Sequence, residues 1–302
     1  MAITVISCTL RVGQILLGGL AFVFREWRTL QLVVSVPFLV FFFSSRWLVE
    51  SARWLIVNNK PEEGLEALRK VAYTNGMQNA GDALTMEGLR SSMQDELEAA
   101  QTKVTIWDLF HTSSLRKRTC ILLFVRFAIT IPFYGIMVNL QHFGSNIFLF
   151  QTVFGVLTAI VQCLPLLVQN HMGRRTTQTL FTFLVGLSVL VNTFVPQEMQ
   201  TLRVALASVG ISCAAASVTT FCVQLVELIP TVLRARALGL DTVATRCGAM
   251  MAPLLMMLMA YISILPWIIY GVLPIIAGLA VLFLPETRNL PLLDTIHDMK
   301  NK

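Results

Sequence analysis

Arg11, Arg126, Asp241 and Arg246 are among the charged side chains that fall inside long apolar runs. A charge at the centre of a membrane-spanning helix costs roughly 2.5–3.5 kcal/mol on insertion scales, so each must face a cavity, a partner or the membrane interface. Arg246 is the strongest candidate for chemistry. Its neighbours Thr245, Cys247, Gly248 and Ala249 are small and leave open volume around it. A guanidinium is a planar fork of donors suited to carboxylate or sulfate oxygens, so Arg246 is fitted to anchor a buried organic anion. Asp241 lies about 140° around the helix from it and is poorly placed to neutralise it. Arg126 lies roughly 12 Å beyond Arg118 along its run. Ion pairing, snorkelling to the membrane face and ligand contact all remain open to it. Arg11, beside Gly13-Gln14 and ahead of Gly18-Gly19, either lines a cleft or snorkels. Phe127, Phe133 and Tyr134 flank Pro132. They could wall a site for an aryl or steroid body, although each also fits ordinary helix packing.

The elements that position these groups are apolar helices. At about 1.5 Å rise per residue, roughly 20 apolar residues cross a hydrocarbon core about 30 Å thick. Such runs occupy 3–24, 29–49, 119–140, 147–169, 178–195, 201–226, 238–262 and 264–284. Hydrophobic residues make up 55% of the 302 residues and charged residues 13%, with a mean hydropathy of +0.70; no water-soluble domain of this size needs so much apolar surface. The predicted class is all-α integral membrane. Two transmembrane helices cover 1–49, a cytoplasmic helical linker 50–118, a six-helix transmembrane set 119–284 and a cytoplasmic tail 285–302. The first run is too long for a signal peptide, lacks a basic leader and contains Arg11 and Gln14. In the linker, Pro61 opens a helix with an apolar stripe at Leu65, Leu68 and Ala72. Met86, Leu89, Met93 and Leu97 form a second stripe, and Trp107, Leu109 and Phe110 a short third helix.

Charge placement sets the expected orientation. One set of alternate segments outside the spans holds sixteen Lys and Arg, while the other holds Arg25 and Arg28. The rich side is cytoplasmic by the positive-inside rule, which places both termini in the cytoplasm. The net charge of +6 is scattered over short loops and does not form a nucleic-acid surface. The cysteines and histidines show no metal-ligand spacing, and no nucleotide loop or nucleophile elbow is present. The reading is therefore of a non-enzyme without cofactor or metal. Pro37, Pro132, Pro165, Pro253, Pro266 and Pro274 each remove a hydrogen bond within a run, giving bends of the kind on which one helix bundle can rock against another.

The loop sequences carry a family resemblance. Glu50-Ser51-Ala52-Arg53-Trp54-Leu55, Asn170-His171-Met172-Gly173-Arg174-Arg175, Glu227-Leu228-Ile229-Pro230-Thr231-Val232-Leu233-Arg234 and Pro285-Glu286-Thr287-Arg288 occur in that order, all on the expected cytoplasmic side. Together they resemble the signatures of organic ion transporters of the major facilitator superfamily. Phe133-Tyr134-Gly135 and Asn139-Leu140-Gln141 resemble the organic anion branch of that family.

The resemblance implies a major facilitator-type helix bundle of two six-helix halves working by alternating access in the plasma membrane. On that plan the eight spans here are the last two of the first half and a complete second half, and the chain is N-terminally truncated. It further implies an organic anion as substrate, exchanged against a counter-anion. Arg246 falls where the branch keeps an anion-recognising arginine, and Phe133 and Tyr134 fall at aromatic cavity positions. Gln162 falls where several relatives have a cationic residue, and Val218 and Cys222 where aromatics are common. With one charge and two rings fewer, the expected substrates are larger amphipathic anions such as steroid sulfates or glucuronides. Glu50, Arg53, Gly173, Arg174, Arg175, Glu227, Arg234, Glu286 and Arg288 carry over as the conformational-gating loop set. A truncated, transport-incompetent isoform or fragment that is degraded or associates with a full-length relative is the alternative.

Overall fold

Without water to satisfy them, backbone N–H and C=O groups in a bilayer must pair within their own segment, so apolar runs of this length become helices. The computed structural model describes residues 2–47, 50–58, 60–77, 81–82, 84–92, 105–138, 147–196 and 198–288. Its helices are α1 (Ala2–Val23), α2 (Trp27–Ser44), α3 (Ala52–Val57), α4 (Pro61–Thr74), α5 (Met86–Ser92), α6 (Asp108–His111), α7 (Ser113–Val138), α8 (Ile147–Val161), α9 (Leu164–Met172), α10 (Arg174–Phe194), α11 (Gln200–Leu228), α12 (Thr231–Met256) and α13 (Leu265–Val281). Short 3-10 turns follow α2 and α12.

Each of the eight apolar runs carries helix. Among the described residues, five stretches (27–44, 113–138, 174–194, 200–228 and 231–260) are long and apolar enough to span a membrane, and the apolar parts of α1, α8 and α13 are shorter. The run expected as one span over 147–169 is two helices, α8 and α9, meeting at Gln162–Cys163 with Pro165 in the first turn of α9. Proline supplies no N–H to the preceding turn, which is where the helix gives way.

The chain packs as two compact units, residues 1–25 with 105–302, and 26–104. In the smaller unit α3 lies against α4. A Cβ on Gly64 would stand 2.6 Å from Ile56, so only glycine lets the two helices meet there. Leu55 and Ile56 are buried in this contact. Of the second linker stripe, Met86 and Leu89 lie on α5, with Leu89 buried; Met93 and Leu97 lie outside the described residues.

In the larger unit α10 packs along α11 and α13, α7 along α12, α13 and α11, and α8 between α1 and α11. The expected short helix near Trp107 is α6, and its Leu109 is completely buried. Lipid tails are as apolar as leucine, so association here depends on close packing and hydrogen bonds. Glycine supplies the close packing: a Cβ on Gly186 of α10 would lie 2.6 Å from the Gly271 carbonyl of α13. Gln178 Nε2 donates to Ser217 Oγ at 2.9 Å between α10 and α11, and Thr158 and Ser212 hydroxyls meet at 3.2 Å between α8 and α11.

Ile131, Ile136, Phe154, Val189, Ile211 and Tyr270 form the core at the centre of this unit. Tyr270 is fully buried, and its hydroxyl donates to the Ala252 carbonyl at 2.6 Å, tying α13 to α12. The ring fits only because residue 135 is glycine: a Cβ there would stand 2.5 Å from Tyr270 Cε2. Gly135→Ala is therefore expected to destabilise the folded chain by about 1–3 kcal/mol through overpacking. A fall in the melting midpoint of the detergent-solubilised chain checks this, with Gly13→Ala, which meets nothing within 4 Å, as control.

Candidate functional site

Among the described residues, three polar groupings hold most of the candidate site residues. The first joins α7 to α12. Asp241, Thr245, Gly248 and Ala252 recur at helical spacing along one face of α12, and Gly248 allows close approach to α7 because a Cβ there would lie 3.0 Å from the Phe127 carbonyl. Arg126 reaches this face from α7. Its Nε stands 3.2 Å from Asp241 Oδ1, with the two side chains 13% and 9% exposed. The Nε–H itself points to Thr245 Oγ1 at 2.7 Å. The pair is thus an ionic contact without a linear hydrogen bond, and Arg126 Nη1 and Asp241 Oδ1 keep unused hydrogen-bonding capacity. The Phe221 ring of α11 lies under the guanidinium, 5.5 Å from its centroid, a favourable seat for a cation.

Arg246 follows Thr245 by one residue and so points away from the α7-facing stripe. It lies on a face with Val243, Met250 and Met257, all exposed. Only 11% of the most apolar stretch of this span is buried, against 72% for α11, so Arg246 stands on the open side of the larger unit. It forms no hydrogen bond or ion pair with any described residue. Asp241, weighed in the sequence as its neutralising partner, is paired with Arg126. On α7, Phe133 and Tyr134 are half-buried with rings edge to face at 5.4 Å, and Phe133 also packs against the core.

The second grouping lies where α8 gives way to α9. Gln162 is 2% exposed. Its Oε1 accepts from Arg11 Nε of α1 at 3.0 Å, and its Nε2 donates to Thr219 Oγ1 of α11 at 2.7 Å. Arg11 Nη1 also donates to Gln14 Oε1 at 3.1 Å. The sequence marks position 162 as lacking a positive charge; the fold brings one there from α1.

The third grouping gathers most of the loop signatures. Gly173, between α9 and α10, has φ 88° and ψ 168°, a conformation essentially reserved to glycine. It lets the Glu286 carboxylate cap α10. The backbone N–H groups of Arg174 and Arg175 donate to its two oxygens at 2.8 and 3.1 Å, and those of Thr287 and Arg288 to Oε1 at 3.0 and 3.2 Å. Arg174 Nε pairs with Glu227 at the end of α11 at 3.3 Å. Glu227 also accepts the Thr287 hydroxyl, and Arg288 donates to the His171 carbonyl at 2.6 Å. The ends of α9, α10 and α11 and the segment after α13 are thereby joined. Arg234 stays outside this clamp, with Nε and Nη2 buried and unpartnered among the described residues. Glu50 is an exposed residue of the smaller unit, and the side chain of Arg53 lies outside the described residues.

Thr287 of the fourth loop signature joins the clamp, and Thr245, Phe221 and Thr219 complete the other groupings without a role legible in the sequence. Thr245 alone leaves a readable trace, its place in the small and polar stripe from Asp241 to Ala252. The contacts of the others cross between elements and leave no spacing to read.

The chain is similar to known proteins over nearly its whole length. A family model described as sugar (and other) transporter matches residues 5–298. Human solute carrier family 22 member 10 is 65% identical over 98% of this chain and 55% of its own length. The human steroid transmembrane transporter SLC22A24 is 54% identical over 100% of this chain and 54% of its own length. The chain thus spans about half the length of these curated relatives. Among solved structures, a partially occluded, inward-open form of the xylose transporter XylE from E. coli superposes with a TM-score of 0.69 at 21% identity, over 96% of this chain and 64% of that one. The helical bundle is therefore of the major facilitator type, and the chain belongs to the sugar (and other) transporter family, with solute carrier family 22 transporters, not enzymes, as its relatives.

Proposed function

We propose that this chain forms the substrate-facing second half, with two preceding spans, of a secondary-active transporter of organic anions. Arg246 carries this reading: a guanidinium on the open face of an apolar span, without a partner among the described residues. Such a charge in a membrane needs water or a counter-charge, and a bound carboxylate or sulfate supplies one. Arg126 Nη1 offers a further donor from α7. Phe133 and Tyr134 provide the apolar wall, and the Arg11–Gln162 pair a second positive region. The name of the relative SLC22A24 favours an amphipathic steroid-like body, for which steroid sulfates and glucuronides are the matching anions. In the same reading transport proceeds by alternating access, as exchange against an intracellular anion across the plasma membrane. Both termini are cytoplasmic, and the Glu286–Arg174–Glu227 clamp opens and closes with the cycle.

The test uses this chain preceded by the N-terminal portion of human solute carrier family 22 member 10, with uptake of labelled estrone sulfate and of a neutral steroid measured in cells. Arg246→Ala is expected to lower uptake of the sulfate at least tenfold while surface expression persists, with Arg246→Lys intermediate because it keeps charge without the fork. Unchanged sulfate uptake would remove Arg246 as the anchor. Equal uptake by the 302-residue chain alone would show that the preceding spans are dispensable.

A further inference from the structure

A second basic site lies on the clamp side of the larger unit. The start of α7, Arg175 at the start of α10 and the end of α13 enclose an open groove of about 360 Å³. Lys117, Arg118 and Arg175 bring three cations to it, with the exposed hydroxyl of Ser114 beside them. Its other wall is apolar and outward-facing: Leu282 is 48% and Phe283 82% exposed.

These features specify what fits. The Lys117 and Arg175 side chains form no ion pair with any described residue. Glu286, the acid of the adjoining segment, is engaged by the N–H groups at the start of α10 and makes no ion pair with Lys117 or Arg175, and that helix end is no longer open to a ligand. A site of three cations beside a projecting phenylalanine, at the end of two membrane-spanning helices, takes an anion that continues into an apolar chain. We propose that this groove binds the headgroup phosphate of an acidic phospholipid, with Lys117, Arg118 and Arg175 on the phosphate oxygens and Leu282 and Phe283 against the first acyl carbons. Its placement in the cytoplasmic leaflet rests on the orientation proposed above, whereas the lipid preference itself does not.

The experiment is lipid binding by the purified 302-residue chain in detergent, read by native mass spectrometry. The probes are phosphatidylinositol 4-phosphate, phosphatidylcholine of the same acyl length and the soluble inositol bisphosphate headgroup. The phosphoinositide is expected to bind at least tenfold more tightly than phosphatidylcholine. Lys117→Gln should weaken it roughly fivefold, and Lys117→Gln with Arg175→Gln about twenty-five-fold, with phosphatidylcholine binding unmoved. The Arg175 change leaves the backbone N–H to Glu286 in place, and the Lys117 change alone alters an exposed side chain, so a folded variant remains to be tested. Equal binding of the two lipids, an unchanged preference in the variants, or a soluble headgroup that binds as tightly as the lipid would each overturn the assignment. Failure of orientation would appear separately, in the sidedness of labelling of a cysteine placed at residue 117.

Discussion

Asp241→Ala is expected to destabilise the folded chain by about 3–5 kcal/mol, because it leaves the Arg126 guanidinium buried without its counter-charge. The geometry makes the carboxylate hard to replace. Among the described residues, Arg126 has a single side-chain hydrogen bond across the helix interface, to Thr245, and an aromatic face beneath it. Neither carries negative charge. Arg126→Ala should be costly for the converse reason, a carboxylate left among apolar helices. Removing both charges is different. In Arg126→Met with Asp241→Leu neither charge is left behind, and Thr245 keeps its own bond to the Asp241 backbone carbonyl at 2.8 Å. The double variant should therefore recover most of the loss and approach the parent. Melting midpoints in detergent for Arg126→Met, Asp241→Leu and their combination provide the cycle. If the losses simply add, the contact at 3.2 Å is not an energetic pair. Transport in the extended chain reads a separate quantity: a double variant that is stable yet inactive would place Arg126 in ligand recognition as well.

The helices themselves were legible because an apolar run of bilayer length leaves the backbone one economical conformation, and the eight runs all carry helix. What the chain could not disclose is which charge meets which. Asp241 was weighed against Arg246 because both lie on one helix; its partner comes from α7 instead. Gln162 stood out through resemblance as a position lacking a cation, while Arg11 was weighed only as a cleft residue or a snorkelling one. Their hydrogen bond depends on α1 packing against α8 where Gly155 admits Ile15, a contact with no local signature. The helix break at Gln162–Cys163 was signalled by Pro165, but its position was not. The loop motifs were readable as family signatures. Their mutual contacts emerge only when the segment after α13 returns to the start of α10.

Gly173→Ala is the smallest substitution expected to dismantle the clamp. At φ 88° and ψ 168° any other residue costs of order 1–3 kcal/mol in backbone strain. The added methyl group meets a second obstacle, since its Cβ would lie 2.7 Å from Glu286 Oε2 and 2.8 Å from Cδ. The carboxylate has little freedom to yield, because it accepts N–H groups from both Arg174 and the Thr287–Arg288 turn. If it moves away, the first turn of α10 loses its acceptor, a carboxylate that also complements the positive end of the helix. The expected result is a total loss of about 3 kcal/mol in stability, together with loss of uptake in the extended chain. Glu286→Ala should remove the cap but relieve the clash. Its effect in a Gly173→Ala background should therefore be much smaller than in the parent, because the alanine has already displaced the carboxylate. A double-mutant cycle on melting midpoints measures this coupling, and strict additivity would show that Gly173 is required by its backbone conformation alone. Uptake then separates a static brace from a moving gate. A brace predicts that Glu286→Ala loses activity in proportion to the folded protein lost. A gate predicts that the surviving folded protein transports more slowly and retains substrate affinity.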